Sequence, residues 1–241
     1  MKVMIKKNRE QLAAAGAEIC RTVAQDAVQK KRRFTLAVSG GSTPRAMHRC
    51  LAREPYIQDI PWDRTHLFWV DERCVEPDDP ASNYGTAQKD FLTQIPLPPD
   101  QIHPMPALLS PEQGARFYQK TITDLFSIKK GQFPVFDLVF LGLGRDGHTA
   151  SLFPGHRGVN EKRRLIIPVK GGDPDVDRLT MTLPLLNKAK QRVFLVSGAE
   201  KAKTVKWVAQ DRLQDLPAGR ILPEKGTLIW LLDPEAASLL D

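Results

Sequence analysis

Phe136-Asp137-Leu138-Val139-Phe140-Leu141 runs directly into Gly142-Leu143-Gly144-Arg145-Asp146-Gly147-His148. The first half is almost entirely apolar, so both its faces need cover, as in a strand inside a parallel sheet. The second half is glycine and polar side chains, a tight loop at that strand's carboxyl end. Working outward, the same pairing recurs. Phe34–Val38 stops at Ser39-Gly40-Gly41, and Thr65–Val70 stops at Asp71-Glu72-Arg73. Apolar runs at Leu165–Val169, Leu179–Thr182, Val193–Val196 and Thr227–Leu232 read as further strands. Helical spacing predicts helices over 9–29, Ser82–Gln94, 112–127 and Glu200–Gln210, and a short one after Pro234. Thr43-Pro44 reads as a helix start, with Thr as N-cap and Pro in the first position. Residues 95–111 are Pro-rich and loop-like.

Strands alternating with helices predict a Rossmann-like α/β fold, a mostly parallel sheet with helices on both faces. The chain has 241 residues, which suits a single domain over 1–241. Size scaling puts the folded surface near 11,000 Å² and buries roughly 70% of the chain's area. Hydrophobic residues are 41% and charged residues 26%, which excludes a disordered chain.

The net charge is +7, which on its own suggests an anionic partner. Its location says otherwise. Residues 1–33 carry nine Lys/Arg against three Asp/Glu, and the rest of the chain is nearly balanced. This basic stretch reads as a solvated helix face and a helix C-terminus. No aromatic residues interleave with it, so no nucleic-acid partner is expected. Cys20, Cys50 and Cys74 are odd in number and widely spaced, which argues against a disulfide framework or a Cys-based zinc site. No run of about 18 apolar residues occurs, and none long enough for a secretory signal stands at the start. The expectation is a cytoplasmic protein with no membrane partner, a monomer or weak homodimer.

In parallel sheets the ligand binds beyond the carboxyl ends of the strands. Ser39–Thr43, Asp71–Arg73 and Gly142–His148 should therefore meet at one crevice. In the first, Gly40 and Gly41 let backbone amides approach a ligand, Ser42 and Thr43 add hydroxyl donors, and Arg45 adds a charge. A phosphate cradle and an ordinary tight turn both fit this spacing. In the second, Arg73 suits a phosphate or carboxylate, with Asp71 or Glu72 fixing it; a surface ion pair is the alternative. In the third, the glycines expose amides suited to an oxyanion. His148 is the residue type whose pKa lies near 7, as a general base requires, and Asp146 is placed to orient it. Asp146, His148 and His156 lack the spacing of a metal site. His48, His66 and His103 read as structural.

The segments SGGSTP (39–44), WVDERCVEPDDPASNYG (69–85), LGLGRDGHTASLFPGH (141–156), RLTMTLPLLNKA (178–189) and FLVSGAEKA (194–202) together resemble the 6-phosphogluconolactonases. These belong to the glucosamine-6-phosphate isomerase/deaminase superfamily. The resemblance implies hydrolysis of 6-phospho-D-glucono-1,5-lactone to 6-phospho-D-gluconate, in the oxidative pentose phosphate pathway, with no metal or organic cofactor. It implies that His148 is the general base, supported by Asp146, and that Gly40, Gly41, Ser42 and Thr43 form a substrate loop. Arg73 matches the family's arginine after the acidic pair, and Arg178 and Lys201 match the family's basic ligands for the substrate phosphate. One departure is visible: Gly171-Gly172-Asp173-Pro174-Asp175-Val176-Asp177 stands where the family has a proline-rich lead-in to the arginine. The rival within the superfamily is a glucosamine-6-phosphate isomerase/deaminase. Its pattern puts a glutamate five residues after the DGH histidine, where this chain has Phe153.

Overall fold

The apolar run Leu138–Leu141, which leads into the Gly142–His148 loop, forms the middle strand of the main sheet. The structure, a computed structural model, describes residues 1–129, 131–222 and 225–241. The chain runs β1 (Lys2–Ile5), α1 (Arg9–Lys31), β2 (Phe34–Val38), α2 (Ser42–Leu51), α3 (Tyr56–Asp59), β3 (Thr65–Trp69) and β4 (Asp71–Arg73). It continues with α4 (Asn83–Ala87), β5 (Ile102–His103), α5 (Pro111–Phe126), β6 (Leu138–Leu141), β7 (Ile166–Gly171) and β8 (Val176–Met181). The last elements are α6 (Leu183–Lys188), β9 (Gln191–Val196), α7 (Ala202–Val205) and β10 (Thr227–Leu232). The accessible surface is 11375 Å², the size expected of one folded unit of this mass.

Seven strands form a wholly parallel sheet in the order β1-β10-β9-β6-β2-β3-β5. Its interior strands β2 and β6 are buried at every position, which is why they read as continuous apolar runs. Asp137, just before β6, is the one charge in the run. It is buried and accepts from the Thr35 amide (2.9 Å), the Thr35 hydroxyl (2.8 Å), Lys31 (2.9 Å) and Lys190 (3.0 Å). Burying a carboxylate demands such pairing. It also gives Lys31, from the basic N-terminal stretch, a structural partner.

A second sheet, β4-β8-β7, is antiparallel. The expectation of a mostly parallel sheet holds for the main sheet, but the runs at 165–169 and 179–182 leave it and pair as a hairpin. Val70 is the corner between the sheets. Its amide donates to Val38 of β2 (2.9 Å), and its carbonyl accepts from Met181 of β8 (2.8 Å). Asp71-Glu72-Arg73 thereby becomes a strand instead of a loop.

Other local expectations shift. Helix α2 starts at Ser42 behind an N-cap Gly41 with φ +97°, a conformation that favours glycine, so Thr43 is not the cap. The helix expected over 82–94 is α4 followed by a wide turn at Gln88–Leu92. The segment after Pro234 forms turns, not a helix. The short edge strands β1 and β5 were not expected, and β5 lies inside the Pro-rich segment. Among the described residues, no helix is long and apolar enough to cross a membrane.

Candidate active site

In the sheet order, β2 has β3 on one side and β6 on the other, so the chain leaves β2 and β6 in opposite directions. A crevice opens at the carboxyl ends of strands at such a point. Here it is a cavity of about 1040 Å³. Its wall includes Ser39–Pro44 after β2, Asp71 and Arg73 of β4, Gly142–Asp146 and His148 after β6, Arg178 of β8, and Ser197 and Lys201 after β9. The three polar segments expected to converge do so. Arg178 and Lys201, named from the resemblance, join them.

His148 and Asp146 share the loop after β6. Nδ1 of His148 lies 2.6 Å from a carboxylate oxygen of Asp146, which also accepts from the His148 amide at 3.1 Å. A carboxylate only accepts, so Nδ1 carries the proton and Nε2 keeps its lone pair. The loop closes on itself. The Gly144 amide donates to the His148 carbonyl (2.8 Å) and the Gly147 amide to the Gly144 carbonyl (3.1 Å). The expectation that the glycine amides of this loop hold an oxyanion is therefore corrected at Gly144 and Gly147, whose donors are already used. A Cβ at Gly144 would fall on the His148 ring and the Asp146 carboxylate, so only glycine lets the pair pack against the backbone. Phe153 stands beside His148, with ring centroids 5.0 Å apart.

Asp71 lies in the wall, buried, and accepts from the Ser151 hydroxyl at 2.6 Å. Glu72 faces away from the cavity. It accepts from the amides of Arg73 (2.8 Å), Asn83 (2.8 Å) and Tyr84 (2.7 Å), and so fixes the turn into α4. Burial, outweighing these hydrogen bonds, pushes its carboxyl up to about 7. Arg73 ends the strand; its Nη1 donates to the Ala81 carbonyl and its buried Nε has no partner among the described residues.

Arg178 pairs in register with Arg73. It is 4% exposed, donates to the carbonyls of Gly171 (2.7 Å) and Pro174 (2.9 Å), and lies over the Phe153 ring at 5.6 Å. The unusual 171–177 segment is thus the arm that holds this arginine. Burial, and then the neighbouring Arg73, lower the Arg178 pKa. Burial also lowers that of Lys201, with Glu200 opposing it and Arg145 adding to it. Arg178 and Lys201 therefore gain from an incoming anion.

Arg45 is not in the cavity wall. Its guanidinium bonds Asp90 at 2.7 Å, and Arg49 reaches the same carboxylate at 3.0 Å, so its expected role as a phosphate ligand is corrected to a tie between α2 and the turn at Gln88–Leu92. Nothing in the spacing of 45 and 90 signals this pair. Asn83 was missed. It lines the cavity, donates to the Asp71 carbonyl (2.9 Å), and occupies the space a Cβ on Gly40 would need. Among the described residues, no group of three or more His, Cys, Asp or Glu side chains could hold a metal ion.

The family model for glucosamine-6-phosphate isomerases/6-phosphogluconolactonases matches residues 7–230. A 6-phosphogluconolactonase from Synechocystis sp. is 44% identical over 218 residues, 89% of this chain and 88% of that protein. The solved structure of 6-phosphogluconolactonase from Trypanosoma brucei superposes with a TM-score of 0.88 at 29% identity, covering 100% of this chain and 98% of that one. A monomeric glucosamine-6-phosphate deaminase superposes at 0.82 with 24% identity, covering 99% and 100%, a likeness of fold alone.

Proposed function

The chain belongs to the glucosamine-6-phosphate isomerase/6-phosphogluconolactonase family, and from that premise we infer that it hydrolyses 6-phospho-D-glucono-1,5-lactone to 6-phospho-D-gluconate. It serves the oxidative pentose phosphate pathway. The observation that carries the reading is one cavity holding an oriented histidine together with Arg73, Arg178 and Lys201. The cations take the phosphate and set the lactone carbonyl before His148. Nε2 of His148 takes a proton from water as the hydroxyl adds to C1. The oxyanion is left to the Gly40–Ser42 amides and the N-terminus of α2, which the histidine loop does not use. The C1–ring-oxygen bond then breaks, and the ring oxygen takes the proton back from Nε2. The new carboxylic acid gives one proton to solvent. Phe153 beside the base supports lactone hydrolysis over amino-sugar isomerisation, which needs further carboxylates.

Cys20, Cys50 and Cys74 are free thiols, which supports a reducing compartment such as the cytoplasm. The expectation of a monomer or weak homodimer is checked by sedimentation. Proton release from the phospholactone at constant pH tests the activity. The enzyme is expected to exceed the spontaneous rate by several orders of magnitude. Ammonia release from glucosamine 6-phosphate with no lactone hydrolysis would overturn the assignment.

A further inference from the structure

We propose that Asp233, outside the cavity, is the positioning residue that sets Lys201 over the substrate phosphate. The proposal rests on Lys201 being a phosphate ligand, as read above. The parallel register pairs Leu232 of β10 with Val196 of β9, so the next residues, Asp233 and Ser197, stand side by side where the strands end. Asp233 is 3% exposed. One carboxylate oxygen accepts from the Ser197 hydroxyl, both lie 3.1 Å from the Gly198 amide, and one accepts from the Ala236 amide at 2.8 Å. A buried carboxylate is costly unless such donors surround it, and here most of them come from the start of the Lys201 segment.

That segment has little else to define it. Gly198 has φ +104°, a conformation other residues rarely adopt, and its carbonyl accepts from the Lys201 amide at 3.1 Å. The turn is a single short helical step, Ala199–Lys201. Its far end is tied to the histidine loop, because the Thr204 hydroxyl donates to the Arg145 carbonyl at 2.7 Å. Asp233 and Thr204 therefore bracket Lys201, one fixing it to the sheet and the other to the catalytic loop. A lysine on a flexible stem is a point charge whose usefulness depends on where its backbone is held.

The test compares wild type with Asp233→Ala, Asp233→Asn and Lys201→Met on the phosphorylated lactone and on unphosphorylated glucono-1,5-lactone. Asp233→Ala is expected to raise KM for the phosphorylated lactone about tenfold, with kcat within about twofold and the unphosphorylated substrate unaffected. Asp233→Asn keeps the shape and one acceptor but loses the charge, and is expected to show the same selectivity at about threefold. It decides the matter if Asp233→Ala does not fold. Equal losses on both lactones, or no loss, would overturn the proposal while Lys201→Met still lost the phosphorylated substrate selectively. If Lys201→Met shows no such selectivity, the phosphate role of Lys201 fails and the proposal falls with it.

Discussion

Arg73 and Arg178 face each other directly in the antiparallel β4–β8 pair, and among the described residues no carboxylate bonds either guanidinium. Two like charges this close, one of them buried, are unfavourable until an anion arrives. Inorganic phosphate is therefore expected to raise the wild-type melting temperature. Arg178→Met should abolish that rise and increase KM for the phospholactone about 10–100-fold, the worth of a charge-assisted hydrogen bond. Calorimetry with and without phosphate checks it. A full phosphate response in the variant would place the anion elsewhere.

His148→Ala is expected to lower kcat by about 10²–10⁴ while substrate still binds, the usual contribution of a general base. Asp146→Asn keeps the shape but can present an amide to Nδ1, favouring the wrong tautomer. Its kcat should fall by a smaller factor with KM little changed. Steady-state kinetics on both variants reads this, and wild-type turnover in His148→Ala would remove the residue from the mechanism.

Gly40→Ala brings a methyl group into the space of the Asn83 side chain. Asn83 must move, and with it the bond to the Asp71 carbonyl. The loop before α2 should shift and KM should rise about tenfold, with Asn83→Ala partly restoring it in the double variant. Additive losses in that cycle would show that the two positions do not interact.

Arg192 is fully buried with carbonyls for partners: Asn187, Lys190, Lys225 and Thr227. It stitches the end of α6 to the start of β10. Arg192→Leu removes the guanidinium donors from the Asn187 and Lys225 carbonyls and should cost about 3 kcal/mol or more in urea unfolding. The folded fraction should keep its activity, since the residue lies at the sheet end opposite the cavity.

Burial, opposed by Asp90 and reinforced by Arg45, lowers His48 to about 4. Burial, then the adjacent His66, with Asp100 opposing, lowers His103 to about 4. Both imidazoles titrate near 6.5 when unfolded. Protonation thus favours the unfolded chain. Stability is complete above pH 6.5 and falls as the pH drops toward 4, by about 1.4 kcal/mol per unit for each histidine at the steepest. His48→Leu should flatten this acid limb in urea midpoints measured from pH 7.5 to 4.5. An unchanged slope would assign the acid loss to other groups.

The strand-then-polar-loop pattern was legible at Leu141–Gly142 and Val38–Ser39 because a short apolar run bounded by glycine and polar residues suits a strand covered on both faces. The same pattern located the crevice and the His148–Asp146 pair, which are two residues apart. Asp71-Glu72-Arg73 was not legible as a strand, since three charges carry no strand periodicity and pairing with β8 alone makes them one.

The parallel α/β fold, the family resemblance and His148 as the candidate base were legible along the chain, because each rests on short-range order. Folding alone brings Arg73 to Arg178, turns Arg45 to Asp90, sets Asn83 beside Gly40 and joins Asp233 to Ser197. These pairs lie between 36 and 105 residues apart, and no local rule encodes them. They are set by sheet register and by the need of each buried charge for a partner, and both exist only once the chain has folded.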